Sequence, residues 1–298
     1  MLYQRSSSVV LGPTRYGKAE VRMVHVSRNG AEHALKDLTV SVALCGDQAE
    51  THLTGDNAKV LTTDAQKNAV YALARQHGVA TAEEFAVLLT RHFLTTCPYI
   101  SHARIAVEEY AWDRIPGAES RHSFVRGGRE VRTVLVHADV DGRRTIVSGL
   151  TDLVVLNTAG SEFHGFYKDE YTTLAETTDR VLATAVDARW RHTEATPDVD
   201  WDKSYARARA ALMTAFADTH SLSLQQTLYA MGERLLTQDE RIAEVRLTLP
   251  NRHHFAVDLA PFGLSNDNEV FYAADRPYGL IEGTLARGDA PADPGAWE

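Results

Sequence analysis

Apolar and polar positions alternate at two different periods along this chain, and the changes of period mark out its elements. Val40, Val42 and Leu44 alternate with Thr39, Ser41 and Ala43, the two-residue period of a strand with one buried face. Residues 19–26 and 38–45 are therefore predicted as strands, with Asn29-Gly30 as the turn signal between them. A helix is predicted over 65–77, stopped by Gly78. A second helix opens at a capping box of Thr81 and Glu84, with Phe85, Leu88, Leu89, His92 and Phe93 at helical spacing. Strand patterning returns over 99–112 and 130–138.

The order then repeats. Strands are predicted over 143–149 and 150–157, a helix over the Ala-rich 206–215 with Leu212 and Phe216, and another on Leu224, Leu228, Met231 and Leu235. Val245, Leu247 and Leu249 alternate with Glu244, Arg246 and Thr248 in a returning strand, and Phe255, Val257 and Leu259 mark a last one. Each half thus reads as two strands, two helices, two strands, with a boundary near 140–150, although no residue-by-residue repeat is visible. The class is α+β, with antiparallel sheets carrying both helices on one face. Such sheets have open edges, which are a liability unless other copies cover them; closure of several sheets into a barrel is one solution. An obligate oligomer enclosing a tunnel is the expectation.

Composition narrows the function. The chain has 298 residues, 44% hydrophobic and 24% charged, as in ordinary globular proteins. A net charge of −9 argues against a nucleic-acid partner. An acidic protein that binds an anion must concentrate cations locally, and only six of the 31 cationic residues are Lys, so each merits inspection. Cys45 and Cys97 have neither metal spacing nor a disulfide framework. There is no signal-peptide pattern, no apolar run of membrane-spanning length and no Ser-Lys-Leu tail, so a cytoplasmic location and no membrane partner are expected.

The familiar cofactor motifs are missing: no Gly-x-Gly-x-x-Gly, no phosphate loop, no His-Glu-x-x-His. His253 and His254 are adjacent in a predicted strand, so they point to opposite faces and cannot easily share a metal. The candidate residues have two readings each. Lys18 is a solvated strand-end charge or a base. Thr63-Asp64 is a helix cap or an anion-binding helix start. Phe163, between Gly160 and Gly165, is a loop anchor or a stacking platform. Arg180 is a partner for Asp179 or a grip on a planar anion. Gln225, in the Ser223-Leu224-Gln225 helix opening, is exposed or a ligand, while Asn251 and His253 after Pro250 are turn and edge residues or site residues.

Their conjunction is specific. Tyr16-Gly17-Lys18, Thr62-Thr63-Asp64 with Lys67-Asn68, Ser161-Glu162-Phe163 with Gly165-Phe166, Tyr171-Thr172-Thr173-Leu174 with Asp179-Arg180, Ser223-Leu224-Gln225, and Leu249-Pro250-Asn251 with His253 resemble the uricase family in the family's order. The resemblance runs from about Val10 to about Arg287 and includes Val270-Phe271-Tyr272 and Pro277-Tyr278-Gly279-Leu280-Ile281. Ala65, where a hydroxyl residue is frequent, and Leu224, where Val is also seen, are small departures. The resemblance implies two tandem T-fold halves (ββααββ) at 9–142 and 143–288, with tails at 1–8 and 289–298, in a tunnel-shaped homotetramer with sites at subunit interfaces. It implies oxidation of urate by O2 and water to 5-hydroxyisourate and hydrogen peroxide, with no metal and no organic cofactor. It further implies a proton relay of Lys18, Thr63 and His253, and substrate contacts from Thr63, Asp64, Phe163, Arg180, Leu224, Gln225 and Asn251. The alternatives are a metal-dependent T-fold enzyme acting on a purine or pterin, and a purine binder without catalysis.

Overall fold

The computed structural model describes residues 9–117, 119–193, 199–274 and 276–298; the tail expected at 1–8 lies outside them. The chain divides into two compact units, one comprising the residues up to Arg126 with Val134–Ile146 and Ala296–Glu298, the other Gly127–Thr133 and Val147–Gly295.

In the first unit β1 (Tyr16–Asn29) and β2 (Glu32–Gly46) form a hairpin through Gly30, whose φ of 62° suits the left-handed turn. A short helix α1 (Ala49–Leu53), which the sequence pattern does not reveal, precedes α2 (Thr63–His77) and α3 (Ala82–Thr96). Strand β3 (Ile100–Arg114) returns antiparallel to β2, and β4 (Phe124–Asp139) follows, all but its residues Gly127–Thr133 in this unit. Leu38, Val40, Val42 and Leu44 are buried, as are Phe85, Leu89 and Phe93 of α3. Gly78 caps α2 at φ 72°, and the Thr81 hydroxyl accepts the Glu84 N–H at 3.2 Å. The cap of α2 is Thr62, accepting the Ala65 N–H at 3.1 Å; Thr63 and Asp64, expected to precede the helix, occupy its first turn instead.

In the second unit, which holds β5 from Val147 onward, the sheet order is β5 (Arg144–Asn157), β6 (Leu182–His192), β7 (Ile242–Asn251) and β10 (Gly279–Ala286), all antiparallel. Helices α4 (Trp201–Asp218) and α5 (Leu224–Gln238) lie between β6 and β7 in sequence, and β8 (His254–Ala256) pairs with β9 (Phe271–Ala273) in a small hairpin. Two expectations are corrected here. The strands predicted over 143–149 and 150–157 are one strand, β5, interrupted by a bulge that shifts the side-chain phase. The last strand of the sheet is β10, whereas the pattern at Phe255 begins the separate hairpin.

The bulge exposes a repeat that the residues conceal. Register slips between Lys18 and Val21 on β1 and between Leu150 and Leu153 on β5. Glu20 and Asp152 hold φ of 57° and 56° there. Each left-handed residue is held by a second-strand side chain: the Glu20 N–H donates to Ser41 Oγ at 2.9 Å, the Asp152 N–H to Asp187 Oδ1 at 2.8 Å. By this register Lys18 corresponds to Leu150, so only the first unit carries the cation at that place.

Packing in the second unit fixes α5. A Cβ on Gly283 would meet Leu228 Cδ2 at 2.6 Å, and one on Gly232 would meet Leu285 Cδ1 at 2.8 Å. Helix and strand each offer a glycine to the other's leucine, so α5 approaches β10 closely and its position is set by shape. Leu228 lies in the core with Leu212, Met231, Leu235 and Leu249; Leu228→Ala is expected to cost ~2–5 kcal/mol in a denaturant melt.

His192 is buried at the end of β6, bonded to Ser148 Oγ at 3.1 Å and edge-on to Trp201 at 4.9 Å. Burial pulls its imidazole down to about 4 from the ordinary 6.5, partly offset by the charge of Asp239. The unfolded chain therefore takes up this proton below about pH 6.5, whereas the folded chain resists until about pH 4. Stability is fully present above the first value and falls by up to ~3 kcal/mol across the window. We expect thermal melts of the wild type to lose stability more steeply between those pH values than melts of His192→Gln; equal slopes would assign the loss to other groups.

Candidate active site

A cavity of about 690 Å3 opens on the second unit. Phe163, Arg180, Leu224, Gln225, Asn251 and His253 all line it, joined by Phe255 and Ile281. Six residues scattered over 91 positions of sequence are thus gathered by one loop, one helix start and one strand end.

The loop between β5 and β6 supplies two of them. Phe163 exchanges backbone bonds with Thr177, N–H to O at 2.8 Å and O from N–H at 3.0 Å, which fastens the loop across its base. The left-handed glycines Gly160 and Gly165 (φ 74° and 71°) bound the turn. The Phe163 ring stacks on Phe166 at 5.0 Å with an 18° interplanar angle, and the Arg180 guanidinium lies 5.1 Å from its centroid. Arg180 donates Nε to Ser161 Oγ at 3.0 Å. Burial draws its guanidinium below the ordinary value without discharging it. The local ion-pair partner weighed for it, Asp179, instead accepts from Asn268 Nδ2 at 3.2 Å.

Helix α5 supplies the next pair. Ser223 caps it by accepting the Gln226 N–H at 3.1 Å. Leu224 and Gln225 then occupy the first turn, whose amides a helix cannot pair internally. Leu224 is buried while Gln225 is exposed toward the cavity it lines. A helix start beside a guanidinium makes an electropositive wall suited to a flat anion.

Asn251 ends β7, paired with Thr184 on one side and Gly279 on the other. Its neighbour Pro250 accepts from Thr184 Oγ1 at 3.0 Å, and the Arg252 N–H donates to Ala183 at 2.8 Å. His253 precedes β8 and stacks on Phe255 at 5.6 Å, and His254 lines the same cavity, so the opposite-face placement expected for the two histidines does not hold. His254 donates its Nδ1–H to the Arg252 carbonyl, 3.0 Å away.

Lys18, Thr63 and Asp64 lie in the first unit. Gly17 permits the local backbone: a Cβ there would stand 1.8 Å from the Val42 carbonyl oxygen, inside the atom. Lys18 follows at the start of the β1 bulge, a device that re-aims side chains. The Tyr16 hydroxyl donates to the Leu61 carbonyl and accepts the Leu61 N–H, both at 3.1 Å, and also accepts from Gln48 Nε2 at 3.3 Å. It therefore ties the segment before Thr62-Thr63 to the strand of Lys18. Asp64 is held below the usual carboxylate range chiefly by the Lys67 ammonium, with Asn68 at 3.0 Å and a smaller effect of the Lys18 charge. Tyr16→Phe is expected to cost ~1–2 kcal/mol in a denaturant melt; an unchanged midpoint would show that the tie adds nothing to stability.

Three supporting groups escaped the sequence reading: the Tyr16 hydroxyl, Ser161 and Ser221. Tyr16 and Ser161 lie inside the motifs that carry the family resemblance, but nothing local in the sequence indicates their partners. Among the described residues no group of three or more His, Cys, Asp or Glu is placed to hold a metal, and no helix is long and apolar enough to cross a membrane.

A family model described as Uricase matches residues 14–137 and 146–282. A uricase of Arthrobacter globiformis is 51% identical over 292 residues, covering 98% of this chain and 94% of that protein. One from Dictyostelium discoideum is 39% identical, covering 92% and 96%. The crystal structure of the Arthrobacter globiformis uricase superposes with a TM-score of 0.93 over 98% of this chain and 99% of that one. With matches of this extent and a cavity lined by the residues that carry the resemblance, the chain belongs to the uricase family, the urate oxidases.

Proposed function

We propose that this protein oxidises urate with O2 and water to 5-hydroxyisourate and hydrogen peroxide, using neither a metal nor an organic cofactor. The observation that carries the reading is the convergence of Arg180, Gln225, the α5 start, Phe163, Asn251 and His253 on one cavity.

Urate is a flat, electron-rich anion. The outer nitrogens of Arg180 pair with one edge, the Gln225 amide complements the same side, and the Leu224 amide adds a donor. Phe163 stacks on the ring. Asn251, with the hydroxyl of Thr63, holds O2 or water over the purine. Lys18, Thr63 and His253 pass a proton away from bound urate, and Asp64 and the Thr63 amide complete the far edge. The deprotonated purine gives two electrons to O2, which takes two protons and leaves as peroxide; water adds its oxygen to the oxidised ring. The protein supplies position, proton transfer and exclusion of solvent, and the substrate is its own reductant.

In this reading the tandem T-fold halves, 9–142 and 143–288, build a homotetramer, and Lys18, Thr63 and Asp64 come from a neighbouring subunit. The edges of β1 and β10, each with one partner strand among the described residues, favour association. The free thiols Cys45 and Cys97 suit a cytoplasmic location. Decay of the urate ultraviolet band in air tests the activity; bound but unchanged urate would favour the non-catalytic binder. Mixing inactive Thr63→Ala and Arg180→Ala variants after dissociation tests the shared site. Partial recovery of activity is expected, and mixed oligomers that stay inactive would contradict it.

A further inference from the structure

We propose that Ser161 is a positioning residue for urate binding, setting the direction of the Arg180 guanidinium and locking it to the α5 helix start. The inference rests on the reading of Arg180 as the group that grips urate.

Ser161 is absent from the cavity wall and fully buried behind it, at 0% exposure. It meets Arg180 twice: its Oγ accepts Nε at 3.0 Å, and its carbonyl accepts the Arg180 N–H at 3.0 Å. With Nε engaged from behind, the two outer nitrogens are the ones left to present to a planar anion. The same residue forms a parallel bridge with Ser221, through Glu162 N–H to the Ser221 carbonyl at 2.7 Å and Ser221 N–H to the Gly160 carbonyl at 2.9 Å. Ser221, also at 0% exposure, donates its hydroxyl to the carbonyl of the cap residue Ser223 at 3.1 Å and accepts from Thr227 Oγ1 of α5 at 2.8 Å. The loop bearing Phe163 and Arg180 and the helix bearing Leu224 and Gln225 are thereby held as one piece. Two flat donors must lie in one plane to grip one edge of a purine, and a small tilt of either loses both bonds.

The test is a double-mutant cycle. Ser161→Ala, and Ser161→Cys with a similar volume but a weak acceptor, are made in the wild type and in Arg180→Lys, which has no Nε. In the wild type each is expected to raise KM for urate about 10-fold or more, because a charged hydrogen bond is lost, with kcat within about threefold and little change in melting temperature. In Arg180→Lys the same changes should add less than about twofold. Equal effects in both backgrounds, an unchanged KM, or failure of both variants to fold would overturn the proposal and leave Ser161 a structural residue. A wild type inert toward urate would overturn the substrate reading and this inference with it; an active wild type beside an unaltered Ser161→Ala would overturn the inference alone.

Discussion

Lys18→Met is expected to lower kcat for urate by roughly 100- to 10,000-fold, the usual contribution of a positioned proton acceptor. Met keeps the length of the side chain and removes the amine, so binding of a non-reacting urate analogue should persist. The expectation rests on the local build of β1. Gly17 lets the strand touch the Val42 carbonyl, and Lys18 is the last residue in register before the bulge that runs to Val21. The second unit repeats the bulge with Leu150 in that place, so it offers no substitute amine. Steady-state turnover with parallel inhibitor titration checks the split. Wild-type kcat in Lys18→Met would remove Lys18 from the relay.

Arg180→Ala should act on binding. Loss of the guanidinium removes the charged fork from a desolvated anion, and affinity for urate or an anionic analogue is expected to fall on the order of 100-fold. Arg180→Lys should recover part of this, since it restores charge without the planar fork. Calorimetric titration of an inhibitor into each variant checks the order. Equal affinity of Arg180→Ala and wild type would mean that the anion binds elsewhere.

Much of the fold was legible because its core strands and helices keep clean periods. The α2, α3 and α5 patterns are confirmed to within a few residues at their ends, and β2 alternates as read from Val40 to Leu44, with Thr39 buried. Strand β6 was not legible because its second half carries Asp187, Arg189, Arg191 and His192, of which Arg191 and His192 are nonetheless buried. Arg191 there is 5% exposed, donating to the Pro291 carbonyl at 2.8 Å and lying 3.5 Å from Glu244. A charge that finds its partner across the sheet looks, in one dimension, like a loop residue. Strand β10 was hidden for a different reason. Its glycines lower strand propensity, and Gly283 is needed to receive Leu228 from α5.

At the site, the residues facing the cavity were legible as motifs, and the residues behind them were not. Phe163 and Arg180 are chemically conspicuous. Ser161 and Ser221 are ordinary serines until the isolated bridge between them is seen. The cap of α2 fell on Thr62 because its hydroxyl reaches the Ala65 amide, which puts Thr63 one residue inside the helix.

Oxygen uptake with urate by chelator-treated protein tests the central claim most directly. Urate loss, O2 consumption and peroxide formation followed together should proceed in equal amounts and at a rate unaffected by exhaustive metal removal. Urate that binds without consuming O2, or activity that vanishes on chelation and returns with one specific metal, would contradict the account.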